Sequence, residues 1–237
     1  MTTIRRQPDF KKNFYERLAW DNDQLICGID EVGRGCLAGP VVTAAVILRT
    51  QRINRLIRDS KELSPEERLQ AYKWIKANSW YATALVNHRI IEQINIYQAT
   101  LKAMKRAFAQ LSAQLSAAPS LVVVDAMPLY INSFQGDIIY FNYGESKSSS
   151  IAAASIVAKV TRDNLMARLS DPFPHYSLGQ HKGYSTPQHK KSLLEHGASI
   201  IHRTTFIDHL KLADNPKDQQ NETLLELNAN SEQLSLL

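Results

Sequence analysis

The segment 121–125, Leu-Val-Val-Val-Asp, constrains the fold more than any other part of the chain. It is a short, continuous run of apolar, mostly β-branched residues. Such a run is typical of a central parallel strand that is buried on both faces. Strands precede it in the chain, and helices alternate with strands around it. This order predicts an α/β protein in which a mixed sheet has helices packed on it.

The other predicted elements follow from periodicity and from capping residues. Strands are expected at 25–30, 40–48, 80–86 and 137–142, the first two paired as an antiparallel hairpin. Ser64 and Pro65 have the signature of a helix start, which predicts a helix to about residue 77. A long helical pattern spans 89–115 with a break near Asn95. Further helices are expected at 148–169, where alanines permit close packing on a sheet, and at 186–196, where Gly197 ends the helix.

Length and composition favour one main domain with a small appendage. The chain has 237 residues, of which 44% are hydrophobic, enough for a full core. Residues 1–24 are predicted to form an N-terminal segment, and 211–237 a polar tail, since Asn, Gln, Asp and Glu are frequent there. The net charge of +5 fits a nucleic-acid partner but does not require one.

Several classes of protein are excluded by what the sequence lacks. Cys27 and Cys36 have no flanking ligand pattern, so neither a zinc site nor a disulfide framework is expected. No apolar run approaches the ~18 residues of a membrane span, and the basic N-terminus has no apolar stretch after its charges. We expect a monomeric, cytoplasmic protein without membrane contact.

Four acids stand where a site would form. Asp30 and Glu31 end the first strand, before the turn Gly33-Arg34-Gly35, and Asp125 ends the strand 121–125. The carboxyl ends of strands are where sites in such sheets tend to lie. Asp163 lies on the alanine-rich helix, on one stripe with Lys159 and Ser155. Each acid alone could equally be a turn former or helix cap, and the neighbours Asp30 and Glu31 converge only if the strand ends or bulges there.

Clustered carboxylates repel one another unless cations neutralise them. Mg²⁺ or Mn²⁺ does so with hard oxygen ligands. Two such ions about 4 Å apart would activate a water on one side of a phosphodiester and stabilise the leaving 3′ oxygen on the other. The pattern therefore points to metal-dependent phosphodiester hydrolysis.

Five ordered blocks make the chain resemble the bacterial ribonuclease HII family. They are GIDEVGRGCLAGPVVTAAVIL (28–48), DSKELS (59–64), VVVDAM (122–127), KSSSIAAASIVAKVTRD (147–163) and HKGYSTPQH (181–189). The resemblance, over about 25–206, implies an RNase H-like catalytic domain at 25–210 with a small C-terminal helical part. It implies a four-carboxylate site that is both catalytic and metal-binding, carried by Asp30, Glu31, Asp125 and Asp163.

The same resemblance implies a substrate and a way of reading it. It predicts an endoribonuclease that cuts the RNA strand of RNA–DNA hybrids, and cuts 5′ of single ribonucleotides in duplex DNA, during replication and ribonucleotide excision repair. Gly33, Arg34, Gly35 and Tyr184 would read the RNA–DNA junction, since a Gly-rich turn can closely approach a 2′-hydroxyl. Candidates for phosphate contacts are Arg34, Lys61, Lys147 and Lys182, although each could be a solvated surface charge.

Some residues depart from the family's usual pattern. Cys36 stands where proline is common, which predicts a less stiff recognition turn. Glu145 and Ser146 replace Asp and Ala, and Ala126-Met127-Pro128 replaces Gly-Asn. None of these changes removes a predicted metal ligand. The three histidines His181, His189 and His202 are given no catalytic role, because backbone-capping or core positions explain them.

The end of the chain carries a second resemblance. Gln233-Leu234-Ser235-Leu236-Leu237 is similar to the short peptide by which bacterial replication and repair proteins bind the sliding clamp. Such motifs insert apolar anchors, here Leu234, Leu236 and Leu237, into a pocket of the partner, and the polar Gln233 would contact the partner beside them. The alternative is a terminal amphipathic helix whose leucines pack back on the enzyme.

Three rival functions remain open from sequence. Ribonuclease HIII usually has Gly-Lys-Gly in the turn and an additional N-terminal domain, for which the 24 residues before the first strand are too few. A hybrid-binding module without catalysis would not need all four carboxylates. Another nuclease or integrase on the same fold would cut pure DNA.

Overall fold

The computed structural model describes residues 4–6, 11–132 and 134–213, and the strands in those residues form one mixed sheet. The order of its six strands is β1-β6-β5-β2-β3-β4. Their bounds are β1 (Ile4–Arg6), β2 (Ile26–Val32), β3 (Val41–Leu48), β4 (Ser79–Val86), β5 (Leu121–Asp125) and β6 (Asp137–Phe141). The predicted strands are therefore confirmed, with shifts of one or two residues at their ends.

The helices alternate with the later strands, as the sequence predicts. They are α1 (Phe14–Trp20), α2 (Pro65–Asn78), α3 (His88–Ser112), α4 (Gly144–Lys147), α5 (Ser149–Arg168), α6 (Leu178–His181), α7 (Pro187–His196) and α8 (Thr204–Ala213), with a 3₁₀ turn at Pro174–Tyr176. Ser64 caps α2 in a reciprocal capping box with Glu67. The predicted break in α3 lies at Asn95, whose φ is 63° and ψ 165°.

Strand β2 joins the antiparallel and parallel halves of the sheet. It pairs antiparallel with β3, and β3 with β4, so the predicted hairpin is confirmed. On its other side β2 pairs parallel with β5, and β5 with β6. The segment 121–125 is therefore a central parallel strand, and its four apolar residues are buried. This topology sends the ends of β2, β5 and β6 toward the same edge of the sheet.

Helices cover both faces of the sheet, so alternate side chains of β3 pack against different helices. Ala45 and Ile47 pack in the cluster that contains α3, whereas Ala44 and Val46 pack against α5 and α2. Helix α5 approaches β2 very closely, because a Cβ on Gly28 would lie 2.1 Å from the backbone carbonyl carbon of Ser150. The alanines of α5 and this glycine together let the helix lie directly on the strand that carries Asp30.

The segment before β2 is part of the domain. β1 extends the sheet by pairing parallel with β6, and Tyr15 and Ala19 of α1 are buried against β2, β5 and β6. Buried Glu16 accepts hydrogen bonds from the Ser148 hydroxyl and from the Ser150 backbone N–H, 3.0 Å away, at the start of α5. The polar tail, with the predicted clamp-binding residues, lies outside the described residues from position 214 onward.

Candidate active site

A cavity of about 360 Å³ opens where β2 and β5 end against α5. Three of the four predicted carboxylates, Asp30, Glu31 and Asp125, line it. The full set of lining residues is Asp30, Glu31, Val32, Ser60, Lys61, Asp125, Glu145, Ser155, Lys159 and Tyr184. The strand-end rule therefore brings three of the predicted side chains to one cavity, and their functional role stays a prediction.

Asp30 and Glu31 reach the same cavity without a bulge in β2. The strand continues through both residues, which pair regularly with Ala44 and Thr43 of β3. Its parallel pairing with β5, however, stops at Ile29. Beyond that point the edge of β2 is open, so side chains from both faces can turn toward it. The expectation that convergence requires the strand to end or bulge is wrong, since the end of the neighbouring strand is sufficient.

Asp125 is held by the loop that follows β6. Its Oδ1 accepts a hydrogen bond of 2.7 Å from the Gly144 backbone N–H. A Cβ on Gly144 would lie 2.9 Å from that same oxygen, so a side chain there would crowd the carboxylate. Burial raises the pKa of Asp125, and the Gly144 N–H opposes this.

Glu145 is a site carboxylate that the sequence analysis passed over. It follows Gly144 at the carboxyl end of β6, is buried, and lines the cavity. The Ser155 hydroxyl donates to Glu145 Oε1, and Lys61 Nζ lies 3.5 Å from Glu145 Oε2. Burial raises the pKa of Glu145, against the effect of the Ser155 hydrogen bond. The strand-end rule that selected Asp125 also applies to β6 and would have found Glu145.

The four cavity carboxylates Asp30, Glu31, Asp125 and Glu145, hereafter the carboxylate cluster, disfavour one another's ionised forms. Burial raises the pKa of Asp30 well above its usual value, and the charges of Glu31, Asp125 and Glu145 raise it further. Burial also raises the pKa of Glu31, although Arg34 lies 3.4 Å from its Oε1 and opposes the shift. The cluster lacks enough positive charge to ionise easily.

The cluster has the chemistry of a site for a hard divalent cation. Glu31 Oε2 is buried without a hydrogen-bond partner among the described residues, an arrangement that is unfavourable unless something else binds the oxygen. Carboxylate oxygens are the ligands that Mg²⁺ and Mn²⁺ prefer. In the described residues, no three acidic, His or Cys side chains surround one point closely enough to hold an ion as they stand. Metal binding would therefore draw the carboxylates together.

Asp163 is not brought into the cluster. It does not line the cavity, and its Oδ1 accepts a hydrogen bond of 2.9 Å from Lys159 Nζ, one helical turn earlier on α5. Lys159 itself lines the cavity and lies 5.2 Å from the centre of the Tyr184 ring. The structure therefore places Asp163 behind a site lysine, where its charge orients that lysine.

The turn Gly33-Arg34-Gly35 is held from below by two buried arginines, Arg162 and Arg203. Gly33 has a φ of +92°, and a Cβ on it would lie 2.2 Å from Arg162 Nε, so only glycine fits. Arg203 donates to the carbonyls of Gly33, Arg34 and Gly39 over 2.7–3.0 Å. These bonds fasten the turn, and the effect of Cys36 on its stiffness stays a prediction.

Arg162 fastens the neighbouring loop to the same base. Its three nitrogens donate to the carbonyls of Pro40, Lys182 and Ala38 over 2.8–3.1 Å. Burial lowers the pKa of Arg203 to about 10, so it stays charged at neutral pH. We call Arg162, Arg203 and the carbonyls they bind the arginine scaffold. Neither arginine was a candidate from sequence, because charged residues are normally exposed.

The other predicted substrate contacts separate into two groups. Lys61 and Tyr184 line the cavity beside the carboxylates. Burial lowers the pKa of Lys61, but Glu145, Asp59 and Asp30 raise it more, so the net shift is upward. Lys147 and Lys182 do not line the cavity, and Lys182 Nζ donates to the Gly179 carbonyl.

Comparison with known proteins assigns this site to a family. The ribonuclease HII family model matches residues 27–209. The chain belongs to the ribonuclease HII family. A ribonuclease HII from Lactobacillus acidophilus is 43% identical over 203 residues, which cover 85% of this chain and 78% of that protein. As a ribonuclease H, the protein is an endoribonuclease of RNA–DNA hybrids.

Two solved structures share the fold at lower identity. Ribonuclease HII from Archaeoglobus fulgidus, solved in complex with PCNA, has a TM-score of 0.62 and 24% identity, covering 76% of this chain and 93% of that one. The ribonuclease HIII called Bst-RNase HIII, solved with Mn²⁺, has a TM-score of 0.58 and 19% identity, covering 73% and 63%. The predicted RNase H-like fold is confirmed.

The family assignment bears on two further expectations from sequence. The family model and the 43% identity favour ribonuclease HII over the sister ribonuclease HIII, whose structural likeness shows only the shared fold. Among the described residues, no helix is long and apolar enough to cross a membrane.

Proposed function

We propose that this ribonuclease HII cleaves on the 5′ side of single ribonucleotides embedded in duplex DNA, leaving 3′-hydroxyl and 5′-phosphate ends, and so acts in ribonucleotide excision repair. The observation that carries the proposal is that the carboxylate cluster and Tyr184 share one cavity and that the glycine turn contacts the cluster from beside it. The cluster residue Glu31 is bound by Arg34 of the glycine turn. Groups that would cut the strand and groups that would read the junction therefore lie close enough to act on neighbouring nucleotides. Because the protein's relatives at 43% identity are bacterial, and bacterial cells hold their DNA in the cytoplasm, we propose that it acts there.

Asp30, Glu31, Asp125 and Glu145 would hold two divalent ions, Mg²⁺ or Mn²⁺. Bound ions would supply a water nucleophile at neutral pH and stabilise the leaving 3′ oxygen. The partnerless Glu31 Oε2 and the raised pKa values of the cluster support this donor set. Asp163, the fourth acid in the family resemblance, is the alternative to Glu145. Its pairing with Lys159 favours Glu145.

The glycine turn fits a role in reading the 2′-hydroxyl. Gly35 is exposed, and a Cβ there would meet nothing within 4 Å. The protein's own packing therefore does not require glycine at this position, whereas close approach of a sugar–phosphate backbone would. Arg34 remains 40% exposed although it pairs with Glu31. Its side chain can move from that carboxylate to a substrate phosphate.

Tyr184 fits the reading of the next, deoxy nucleotide. Its ring is 37% exposed, lines the cavity, and has Lys159 Nζ and the Arg162 guanidinium carbon 5.2 and 5.6 Å from its centre. These two cations hold the ring in place, and the exposed part of the residue can receive a sugar. Lys61, whose side chain is 81% exposed beside Glu145, would contact a phosphate of the substrate.

A cleavage assay tests the proposed function. A DNA duplex with one ribonucleotide is incubated with Mg²⁺ or Mn²⁺, and the cut is mapped at nucleotide resolution beside an all-DNA duplex and a uniform RNA–DNA hybrid. We expect one cut, 5′ of the ribonucleotide, and an intact all-DNA duplex. Binding without cutting would indicate a hybrid-binding module, and cutting of all-DNA would indicate a different nuclease.

Binding to the sliding clamp through Gln233, Leu234, Leu236 and Leu237 is a second part of the proposal. It is supported by the motif and by the relative from Archaeoglobus fulgidus, which was solved with PCNA. Deletion of residues 231–237 should abolish capture by the purified clamp and leave cleavage of a short duplex unchanged. Equal capture of the full-length and shortened chains would contradict it.

A further inference from the structure

Behind Tyr184 lies a row of three histidines, His181, His189 and His202, that the proposed chemistry does not use. His189 is fully buried and His202 is 2% exposed. Their Nε2 atoms lie 3.0 Å apart. The rings of His181 and His189 are stacked, with centres 4.3 Å apart. Such buried polar contacts are favourable only if every nitrogen has a suitable partner.

The hydrogen-bond partners determine the protonation of His189. Its Nδ1 lies 2.9 Å from the Tyr184 carbonyl oxygen, which can only accept, so Nδ1 carries a proton. If the ring is neutral, its Nε2 is an acceptor. His202 Nε2 must then donate across the 3.0 Å contact.

The partners of His202 require the same arrangement independently. The Ser199 backbone N–H donates to His202 Nδ1 over 3.0 Å, and the Ser199 hydroxyl is 2.8 Å from the same atom. Nδ1 of His202 is therefore an acceptor, which leaves the proton on Nε2. Both ends thus agree on one direction of donation, from Ser199 to His202 to His189 to the Tyr184 carbonyl.

Protonation of these histidines would disrupt the hydrogen bonds between them. Protonation of both His189 and His202 would put two N–H groups against each other, and protonation of His202 alone would oppose the Ser199 N–H. Burial lowers the pKa of His189 and of His202 to about 4 each. The other titratable groups that face the pair are His181, Tyr176 and, toward His202, His88. None of them is an acid that would favour an imidazolium.

The row of histidines contacts a backbone segment, residues 182–184, that begins with two left-handed conformations. Lys182 and Gly183, which precede Tyr184, have φ values of 53° and 82°. The left-handed conformation is unfavourable for a lysine, because its Cβ crowds the following carbonyl oxygen. The Gly183 N–H donates to His181 Nδ1 over 3.1 Å, and His181 Nε2 lies 2.6 Å from the Tyr176 carbonyl oxygen. Histidines therefore hold the segment on both sides of Lys182 and Gly183.

We propose that the neutral, directional hydrogen-bond chain Ser199–His202–His189 positions Tyr184, and that His189 and His202 are therefore positioning residues for selection of the RNA–DNA junction. The inference rests on the proposed role of Tyr184. The two histidines touch no reacting atom. They act by fixing the backbone from which the Tyr184 ring enters the cavity, so their loss would change where the enzyme prefers to cut more than whether it cuts.

Two variants of His189 separate positioning from mere packing. The amide nitrogen of asparagine can take the place of Nδ1, whereas that of glutamine reaches toward the Nε2 position. His189→Asn thus keeps the bond to the Tyr184 carbonyl, and His189→Gln loses it. His196→Gln is the matched control, because His196 is exposed and takes no part in the hydrogen-bond chain Ser199–His202–His189.

The readout is a ratio of kcat/KM values, for a duplex with one ribonucleotide over a uniform RNA–DNA hybrid. A variant that is merely less folded lowers both values and leaves the ratio unchanged. We expect His189→Gln to lower the ratio by about tenfold, which corresponds to one lost buried hydrogen bond, and His189→Asn by no more than about threefold. The control should keep the wild-type ratio.

Tyr184→Ala makes the two possible failures distinguishable. If it lowers the ratio and His189→Gln does not, the positioning role is overturned and the role of Tyr184 stands. If Tyr184→Ala leaves the ratio unchanged, its junction-reading role is overturned, and the positioning role with it. Nitrogen NMR of the wild type gives an independent test: Nδ1–H on His189 and Nε2–H on His202 are expected at neutral pH, and the opposite tautomers or an imidazolium would contradict the chain.

Discussion

The carboxylate cluster and the arginine scaffold both border the glycine turn, but they satisfy their polar groups in opposite ways. Every guanidinium nitrogen of Arg162 and Arg203 donates to a backbone carbonyl. In the cluster, by contrast, Glu31 Oε2 has no partner in the described part of the chain, and burial together with the neighbouring carboxylates raises the pKa of Asp30. The scaffold is complete without a ligand, whereas the cluster needs a cation. One region supplies rigidity and the other reactivity.

The largest expected effect on cleavage is that of a substitution at Asp30 in the carboxylate cluster. Asp30→Asn removes a metal ligand but keeps the shape of the side chain, so cleavage should fall by about 10³-fold or more while hybrid binding is largely retained. Steady-state kinetics and a binding titration measure the two effects. Asp137→Asn, an exposed acid at the other end of β6, is the control and should leave both unchanged. Activity that survives in Asp30→Asn would remove this residue from the catalytic site.

A substitution in the arginine scaffold should lower the free energy of unfolding. Arg162→Met leaves the carbonyls of Ala38, Pro40 and Lys182 without their buried donor, and the free energy of unfolding should fall by about 3 kcal/mol. Arg168→Met, exposed on the same helix, is the matched control and should change it by less than about 0.5 kcal/mol. Urea unfolding measures both. Equal effects of the two variants would show that the scaffold does not hold the turn.

A pair of variants decides whether Glu145 or Asp163 is the fourth metal ligand. Glu145→Gln should lower cleavage by about 30-fold and raise the Mg²⁺ concentration needed for half-maximal activity, because a cavity ligand is lost. Asp163→Asn should lower cleavage by only about threefold, through a less well oriented Lys159. A metal titration of activity compares them. The reverse order of effects would return Asp163 to the metal site.

The smallest expected effect belongs to Lys61. Since its ammonium is exposed beside Glu145, Lys61→Ala should raise KM by about threefold and reduce the salt dependence of hybrid binding by about one phosphate contact. Lys73→Ala, exposed on α2, should change neither. An unchanged salt slope in Lys61→Ala would mean that Lys61 only neutralises the cluster.

What the sequence predicts well is what local rules determine. The two-residue period and the strand-end rule identify the sheet, and they bring Asp30, Glu31 and Asp125 to one edge. From the sequence of β2 alone, the neighbours Asp30 and Glu31 are expected to face opposite sides of the sheet. The end of β5 beside Ile29 opens the edge, and pairing between distant segments is not visible in the sequence of β2.

Two of the three features that sequence does not predict depend on long-range contacts, and Glu145 is the exception. Asp163 and Lys159 are one helical turn apart, so helical spacing alone cannot tell which of them faces the cavity. Arg203 binds carbonyls 164 to 170 positions earlier in the chain, and nothing near it indicates that it is buried. Glu145 was recognisable by the strand-end rule but was treated only as a departure from a pattern.

The most direct test of the central claim is the metal dependence of unfolding in wild type and Asp30→Asn. Because burial and neighbouring carboxylates raise the pKa of Asp30, native wild type binds more protons than the unfolded chain. Metal-free stability should therefore fall as pH rises from about 4, the unfolded value, through the raised native pKa. Near neutral pH, Mn²⁺ at about ten times its dissociation constant should restore about 1.4 kcal/mol to wild type.

Asp30→Asn should differ in each of these respects. Without metal it should be more stable than wild type near neutral pH, its pH slope should be smaller, and Mn²⁺ should add little. That pattern would show a cluster that is incomplete without a cation. Equal stabilisation of both proteins by Mn²⁺, or none of either, would contradict the account.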